Sequence, residues 1–289
     1  MIANSGIILD SLQAGERSNG EGKAVKNRIL LTLPDHLYRQ VRTHLEFLEL
    51  PHHLVLHEPN RKLEFAYFPN SGMISLVVVT KNEKTLEVGL VGKEGMTATA
   101  AAAGIPSSPL REIVQIAGQG FRLPVEVVQT VLTADAEFRM ILMRYAAVQG
   151  MHVAQLAACN RLHSVEQRLA RWLLMTQDRV DSGLVPITHD FLATMLGTDR
   201  PSVGIAASSL QKKDAIEYRW GSVKVLDRKV LEALSCECYA AIQQFNASPL
   251  YPVERQPLMN PPDTPQAHTS TRIDVGDVEH FGGLPKNRL

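Results

Sequence analysis

The stretch that most constrains this chain runs from Ile187 to Lys213, ITHDFLATMLGTDRPSVGIAASSLQKK. Its spacing predicts two short helices about a tight turn. Thr188 suits the N-cap of the first, because its hydroxyl can accept one of the orphan backbone N–H groups. Leu192 and Leu196 give that helix one buried stripe. Ala193 is small where a second helix must cross close by. Gly197 falls where the chain turns sharply, and glycine tolerates positive φ. Asp199 then caps the second helix, and Pro201 falls in its first turn, where a missing N–H does no harm. Val203, Ala206 and Leu210 form its inner stripe, which leaves Arg200, Ser202, Ile205, Ser208 and Lys212 outside. This geometry offers a second helix to the DNA major groove. The competing reading is a helical hairpin inside a core. Cap, turn and stripe agree with the DNA-facing one, and so does the segment after Lys213.

Ala215–Tyr218 and Val223–Leu226 alternate as two short strands about a turn of Arg219, Trp220, Gly221 and Ser222. A hairpin directly after the second helix makes a wing, and Arg219 and Lys224 are placed to reach phosphates. The charge distribution points the same way. The whole chain of 289 residues carries 30 basic and 30 acidic side chains, but residues 161–230 carry 11 basic against 8 acidic. So small a surplus requires specific contacts rather than bulk attraction.

Three cysteines, Cys159, Cys236 and Cys238, make an odd, unpaired set that argues for a reducing cytoplasm. CxC without a second pair is no zinc or iron–sulfur spacing, so neither metal nor cofactor is expected. No apolar run reaches the roughly 18–20 residues of a membrane span. No secretory signal is evident, and the expected location is cytoplasmic. No nucleophile motif or Gly-rich phosphate loop supports an enzyme.

Taken in order, residues 1 to about 25 read as a flexible leader. Pro34 at N1 and leucines at 37, 45 and 48 suggest a helix. From His52 to Leu123 short apolar runs alternate with turn residues, which suggests a small antiparallel barrel closing at Pro124, with an alanine-rich helical turn at Thr97–Gly104. Val125–Leu132 is helical. A long helix from Ala134 to Leu162 repeats Phe138, Tyr145, His152 and Cys159 every seventh residue, with Ile141, Val148, Gln155 and Leu162 interleaved. That pattern predicts a dimer seam of Phe138, Ile141, Leu142, Tyr145, Val148, His152, Leu156 and Cys159. Packing against its own barrel is the alternative. Asn160–Gln177 continues as the first helix of the last domain, with Leu169, Trp172 and Leu173 in its core, and Asp181–Gly183 loops into Ile187. Asp227 caps a helix running through Cys238 to about Phe245. Residues 246–289 read as a disordered tail in which His268 and His280 stand isolated.

A barrel, a long helix and a winged helix-turn-helix together resemble the Crp–Fnr superfamily of bacterial transcription regulators. CNRLHSVEQRLARWLL, ITHDFLATMLGTDRPSVG and EYRWGSVKVLDRKVLE carry the likeness most specifically, and YFPNSG and VGKEGM are similar to the barrel of the family's less-studied members. The resemblance implies an α+β fold: a cyclic-nucleotide-binding-like barrel at 26–133, a dimerisation helix at 134–162 and a winged helix-turn-helix at 163–245. It also implies a homodimer on a two-fold operator of double-stranded DNA, with RNA polymerase as a candidate partner. The DNA face would be Thr188, His189, Asp199, Arg200, Pro201, Ser202, Gly204, Ile205, Ser208, Lys212, Arg219 and Ser222. Arg200 and Ile205 would read bases, with Thr188, His189 and Ser202 on phosphates.

The sequence also departs from the family. Its cyclic-nucleotide binders carry a Gly-Glu-Leu cassette with a downstream Arg-Ser or Arg-Thr. Here the matching places read Gly95-Met96-Thr97 and Ser107-Ser108-Pro109, with Glu94 and Arg111 displaced. The carboxylate for a ribose and the guanidinium for a cyclic phosphate are both missing, so cyclic AMP is not expected to bind. The N-terminal cysteine cluster of iron–sulfur members is absent, and His52, His53, His57 and His152, the possible haem ligands, read as structural. Where the best-known members carry Arg-Glu ahead of a second Arg on the recognition helix, this chain has Arg200, Pro201 and Ile205. The alternative function is a sensor or adaptor whose barrel binds a protein partner, with the helix-turn-helix a dimer scaffold.

Overall fold

A computed structural model describes residues 17–180, 184–219 and 221–247. The leader up to residue 16, the Asp181–Gly183 loop, Trp220, and the tail from residue 248 with His268 and His280 lie outside the described residues.

The chain enters through two short helices, α1 (Arg28–Thr32) and α2 (Asp35–Arg42). Residues 17–25 are not a free leader. Arg17 donates to the carbonyls of Leu30 and Leu31 at 2.8 and 3.2 Å and pairs with Asp35 at 2.8 Å. It thereby satisfies carbonyls that the end of α1 leaves orphaned. Asn19 donates to Leu45 O at 3.0 Å, and Val25 is buried. The helix expected after Pro34 stops at Arg42, and Pro34 stands at its N-cap. Leu48 instead belongs to β1 (Glu46–Leu50), because five residues there pair with β7 (Gly118–Pro124). Strand pairing overrides the leucine spacing.

Between them lie β2 (Val55–His57), β3 (Phe65–Pro69), β4 (Met73–Val79), β5 (Thr85–Val91), the single helical turn α3 (Thr99–Ala102) and β6 (Leu110–Ile116). They form two antiparallel sheets, ordered β1-β7-β3 and β2-β6-β4-β5. Leu50 and Tyr67 from the first sheet meet Ile74, Leu76, Val91 and Val114 from the second in one apolar cluster, so the sheets enclose a shared interior.

Next come α4 (Val125–Ala134) and the long α5 (Ala136–Leu162), whose N-cap Asp135 accepts from the N–H groups of Glu137 and Phe138. The helix does not run on to Gln177. It breaks at His163, and Ser164 starts α6 (Val165–Gln177) through a capping box with Gln167. That Ser-x-x-Gln signature is legible in the sequence. Three strands rather than two build the wing sheet, because β8 (Leu184–Pro186) pairs with β10 (Ser222–Val225), which pairs with β9 (Ile216–Arg219). Between β8 and β9 stand α7 (His189–Leu196) and α8 (Arg200–Lys212). The last helix is split into α9 (Arg228–Leu234) and α10 (Cys238–Ala247), and α10 takes in residues 246 and 247 of the expected tail.

The helix-turn-helix docks on the sheet through α6 and β5. Trp172, fully buried, donates its indole N–H to Glu87 at 2.9 Å, and Ser75 donates to the other carboxylate oxygen at 2.6 Å. Burial pushes Glu87 up to about 7, against the opposing pull of Ser75, Arg171, Trp172 and Arg179. Arg179 pairs with Glu94 at 2.7 Å beside it.

Candidate nucleic-acid interface

Local chemistry sets the two helices as their spacing predicts. Thr188 accepts from Phe191 N at 3.2 Å and caps α7, while Leu192 and Leu196 are buried. Gly197 adopts φ +58, so the turn favours glycine for its conformation, and a Cβ there would meet only the movable end of the Leu86 side chain of β5 at 2.6 Å. Asp199 accepts from Ser202 N at 2.8 Å and Ser202 Oγ at 3.0 Å, which holds its carboxyl below the usual range. Val203, Ala206 and Leu210 face the core with Trp172 and Leu173.

Opposite that core lies one continuous stripe. Pro201, Ile205, Ser208 and Lys212 recur at helical spacing, and all are exposed. Ile205 is 74 % exposed, a large apolar side chain held in solvent at the centre of the stripe. Arg200 flanks it, meeting Asp190 at 3.4 Å with both side chains about two-thirds exposed. Such a surface pair is weak enough to be exchanged for another anion. On the wing, Arg219 and Lys224 are exposed, with Arg219 beside Glu217 at 2.6 Å. Arg219 and Ser222 are themselves paired residues of the hairpin, so the turn is shorter than expected.

Several residues expected on the DNA face have other engagements. Asp199 is a cap whose negative charge would repel phosphate, and the Ser202 hydroxyl is committed to it. The His189 ring packs on Tyr218 at 4.2 Å between centroids, with Nε2 buried and unpartnered among the described residues. Burial first, then Arg200, lowers its pKa, which disfavours the cationic form that would pair with phosphate. Gly204 is half-buried against that ring. The Ser222 hydroxyl donates to Arg219 O at 2.8 Å, and the Thr188 hydroxyl serves its cap.

Most residues of the expected dimer seam are also engaged within the subunit. Phe138, Ile141, Leu142 and Tyr145 bury against the barrel and α4, and Leu156 packs with the α6 core. His152 lies under Phe245, and Cys159 joins Cys236 and Cys238. Val148 is half-buried. Seven of the eight are buried within their own chain, and Val148 is the exception. The sevenfold repeat of Phe138, Tyr145, His152 and Cys159 is buried within the subunit, whereas Leu162 of the interleaved set is exposed. Among the residues that α5 exposes, Met140, Met143, Ala147, Met151, Ala154, Ala158 and Leu162 share one face, with Met143 at 61 % and Leu162 at 74 %. Met140, Met151 and Leu162 are spaced 11 residues apart, as are the pairs 143/154 and 147/158. An 11-residue period keeps a stripe on one face of a nearly straight helix.

Inside the barrel, the cassette positions are occupied by internal contacts. Tyr67 N donates to Thr97 Oγ1 at 3.0 Å, and Tyr145 Oη donates to Met96 O at 3.1 Å. A Cβ on Gly95 would collide with the Tyr145 phenol. Glu112 accepts from Ala98 N at 3.2 Å and meets His57 Nδ1 at 2.5 Å, both side chains buried. The displaced candidates point elsewhere: Glu94 to Arg179, and Arg111 to Glu58 at 2.9 Å. His52 and His53 stack on each other, and His152 is buried. No helix among the described residues is long and apolar enough to cross a membrane.

Comparison with known proteins agrees with this geometry. No curated protein matches the chain. Residues 167–234 match the sequence family described as the Crp-like helix-turn-helix domain. FixK2 from Bradyrhizobium japonicum superposes with TM-score 0.57 at 13 % identity, covering 66 % of this chain and 98 % of its own. A putative crp/fnr-family transcriptional regulator from Eubacterium rectale gives 0.56 at 17 % identity, covering 70 % and 94 %. The c-di-GMP-responsive global regulator CLP of Xanthomonas campestris gives 0.55 at 14 %, covering 67 % and 100 %. Residues 167–234 thus match the Crp-like helix-turn-helix domain, and about two-thirds of the chain shares the fold of these solved structures.

Proposed function

We propose that this chain is a sequence-specific DNA-binding transcription regulator that acts as a homodimer and whose barrel does not read cyclic nucleotides. The observation that carries the reading is the solvent-facing stripe of α8, with Arg200 and a 74 %-exposed Ile205 beside an exposed basic wing. A helix entering the major groove meets base edges with the first turns of its outer face. There a guanidinium can pair bidentately with guanine, and an apolar side chain can pack on a thymine methyl. Pro201 adds no donor. Lys212, Arg219 and Lys224 are left for phosphates, which position without reading sequence.

Dimerisation is assigned to the Met140–Leu162 stripe of α5, whose seven apolar positions share one face and are exposed among the described residues. Two such chains related by a two-fold axis would match a two-fold operator. The barrel reading is supported by the internal pairing of Glu112, His57 and Tyr145 where a nucleotide would need free polar groups. In vitro selection of duplex DNA followed by binding at two salt concentrations tests the proposal. An enriched two-fold motif bound with a steep salt dependence is expected. Failure to enrich any motif would favour the adaptor reading instead.

A further inference from the structure

The fold brings together two pairs of side chains that are remote from each other in sequence and that the DNA face does not use. Cys159 and His163 lie one turn apart at the end of α5. Cys236 lies in the break between α9 and α10, and Cys238 opens α10. Their ligand atoms all fall within 4.8 Å of one another. Cys159 Sγ is 3.5 Å from Cys236 Sγ, and Cys238 Sγ is 3.5 Å from His163 Nδ1. Sulfurs bonded to each other would be about 2.05 Å apart, so no disulfide joins them. A zinc ion with bonds of about 2.3 Å to sulfur has tetrahedral edges of about 3.8 Å, which is the scale of this cluster. We infer that Cys159, His163, Cys236 and Cys238 form a structural zinc site that clamps the end of α5 to α10.

Three features around the cluster suit that assignment. The cysteines are buried and the His163 side chain is 14 % exposed, so the four ligands close the site and leave no place for a reacting water. His163 Nε2 lies 3.0 Å from Glu237 Oε1, the carboxylate–imidazole contact that turns the other ring nitrogen toward a metal. Three thiolates and a divalent ion leave one negative charge. Arg168 and Arg171 are buried nearby, each with an Nε that lacks a hydrogen-bond partner among the described residues. Soft sulfur ligands in a tetrahedral array select zinc over harder cations, and ligand atoms drawn this close leave room for one ion rather than a multi-iron cluster. The CxC spacing hides the site because Cys159 and Cys236 are 77 residues apart. Nothing in the cluster depends on how α8 is used.

The test uses the full chain purified under reducing conditions. Elemental analysis should find one zinc per chain, and exchange with cobalt should give the visible bands of a tetrahedral thiolate complex. Cys236→Ser/Cys238→Ser should lose the zinc. Glu237→Gln should keep the cobalt spectrum while weakening affinity about 10–100-fold. The cobalt spectrum of the wild type needs no variant to fold. A reduced wild type that neither carries zinc nor takes up cobalt in that geometry would overturn the assignment. So would zinc retained in full by the double variant, or a Cys159–Cys236 disulfide with no metal uptake after its reduction.

Discussion

Glu87 ties the helix-turn-helix to the barrel, and its titration should be visible in the stability of the whole chain. It is fully buried between Ser75 and Trp172, and burial raises it from 4.5 to about 7. That difference makes its ionised form roughly 3 kcal/mol less favourable in the folded protein than in the unfolded chain. Between 4.5 and about 7 the folded protein keeps a proton that the unfolded chain has released. Stability from this group is therefore complete below 4.5, falls by up to about 1.4 kcal/mol per pH unit, and is lost above 7. Glu87→Gln carries no such proton. Its amide oxygen can still accept from Trp172, and its NH2 can donate to the Ser75 oxygen. His152 works in the opposite sense. Burial, with Arg179 adding, lowers it from 6.5 to about 4, so its contribution is lost as pH falls through that window. The wild-type profile superimposes the two, and only the difference between wild type and Glu87→Gln isolates Glu87. Urea denaturation followed by tryptophan fluorescence across this range supplies it. The variant should match the wild type at low pH and exceed it by up to about 3 kcal/mol above pH 7. Parallel profiles across the whole window would refute this account of Glu87.

The proposed function carries four further expected outcomes. Met151→Glu, at the centre of the exposed stripe of α5, should turn a dimer into a monomer in sedimentation; a monomeric wild type or a dimeric variant would remove that seam. Arg200→Ala should weaken binding to the selected operator by about 5- to 150-fold, the equivalent of 1–3 kcal/mol, and relax one base pair per half-site. Ile205→Ala should relax the preference for a neighbouring thymine, and a selected motif unchanged by both substitutions would show that α8 presents another face. Cyclic AMP or cyclic GMP should leave the melting temperature unmoved. A ligand at 100 times its Kd adds about 2.7 kcal/mol, so a clear shift would mean that the barrel binds nucleotide after all.

Local chemistry was legible in the sequence. The caps Thr188, Asp199 and Asp227, the positive-φ turn at Gly197 and the inner stripe of α8 depend on neighbours within a few residues, and each stands as its spacing predicts. So did the alternation that marks the barrel strands. What the sequence could not decide was which apolar face meets which partner. Phe138, Tyr145, His152 and Cys159 look like a seam because buried positions recur on a helix whether they are covered by a second chain or by their own. Only the placement of barrel, α6 and α10 around α5 showed that the subunit covers them itself and leaves the methionine and alanine stripe outside. Leu48 went to a strand because β7 supplied partners that a leucine spacing cannot announce. The cluster of Cys159, His163, Cys236 and Cys238 is the extreme case. Ligand geometry is a matter of ångströms in space, and the break between α9 and α10, not any spacing along the chain, brings those atoms together.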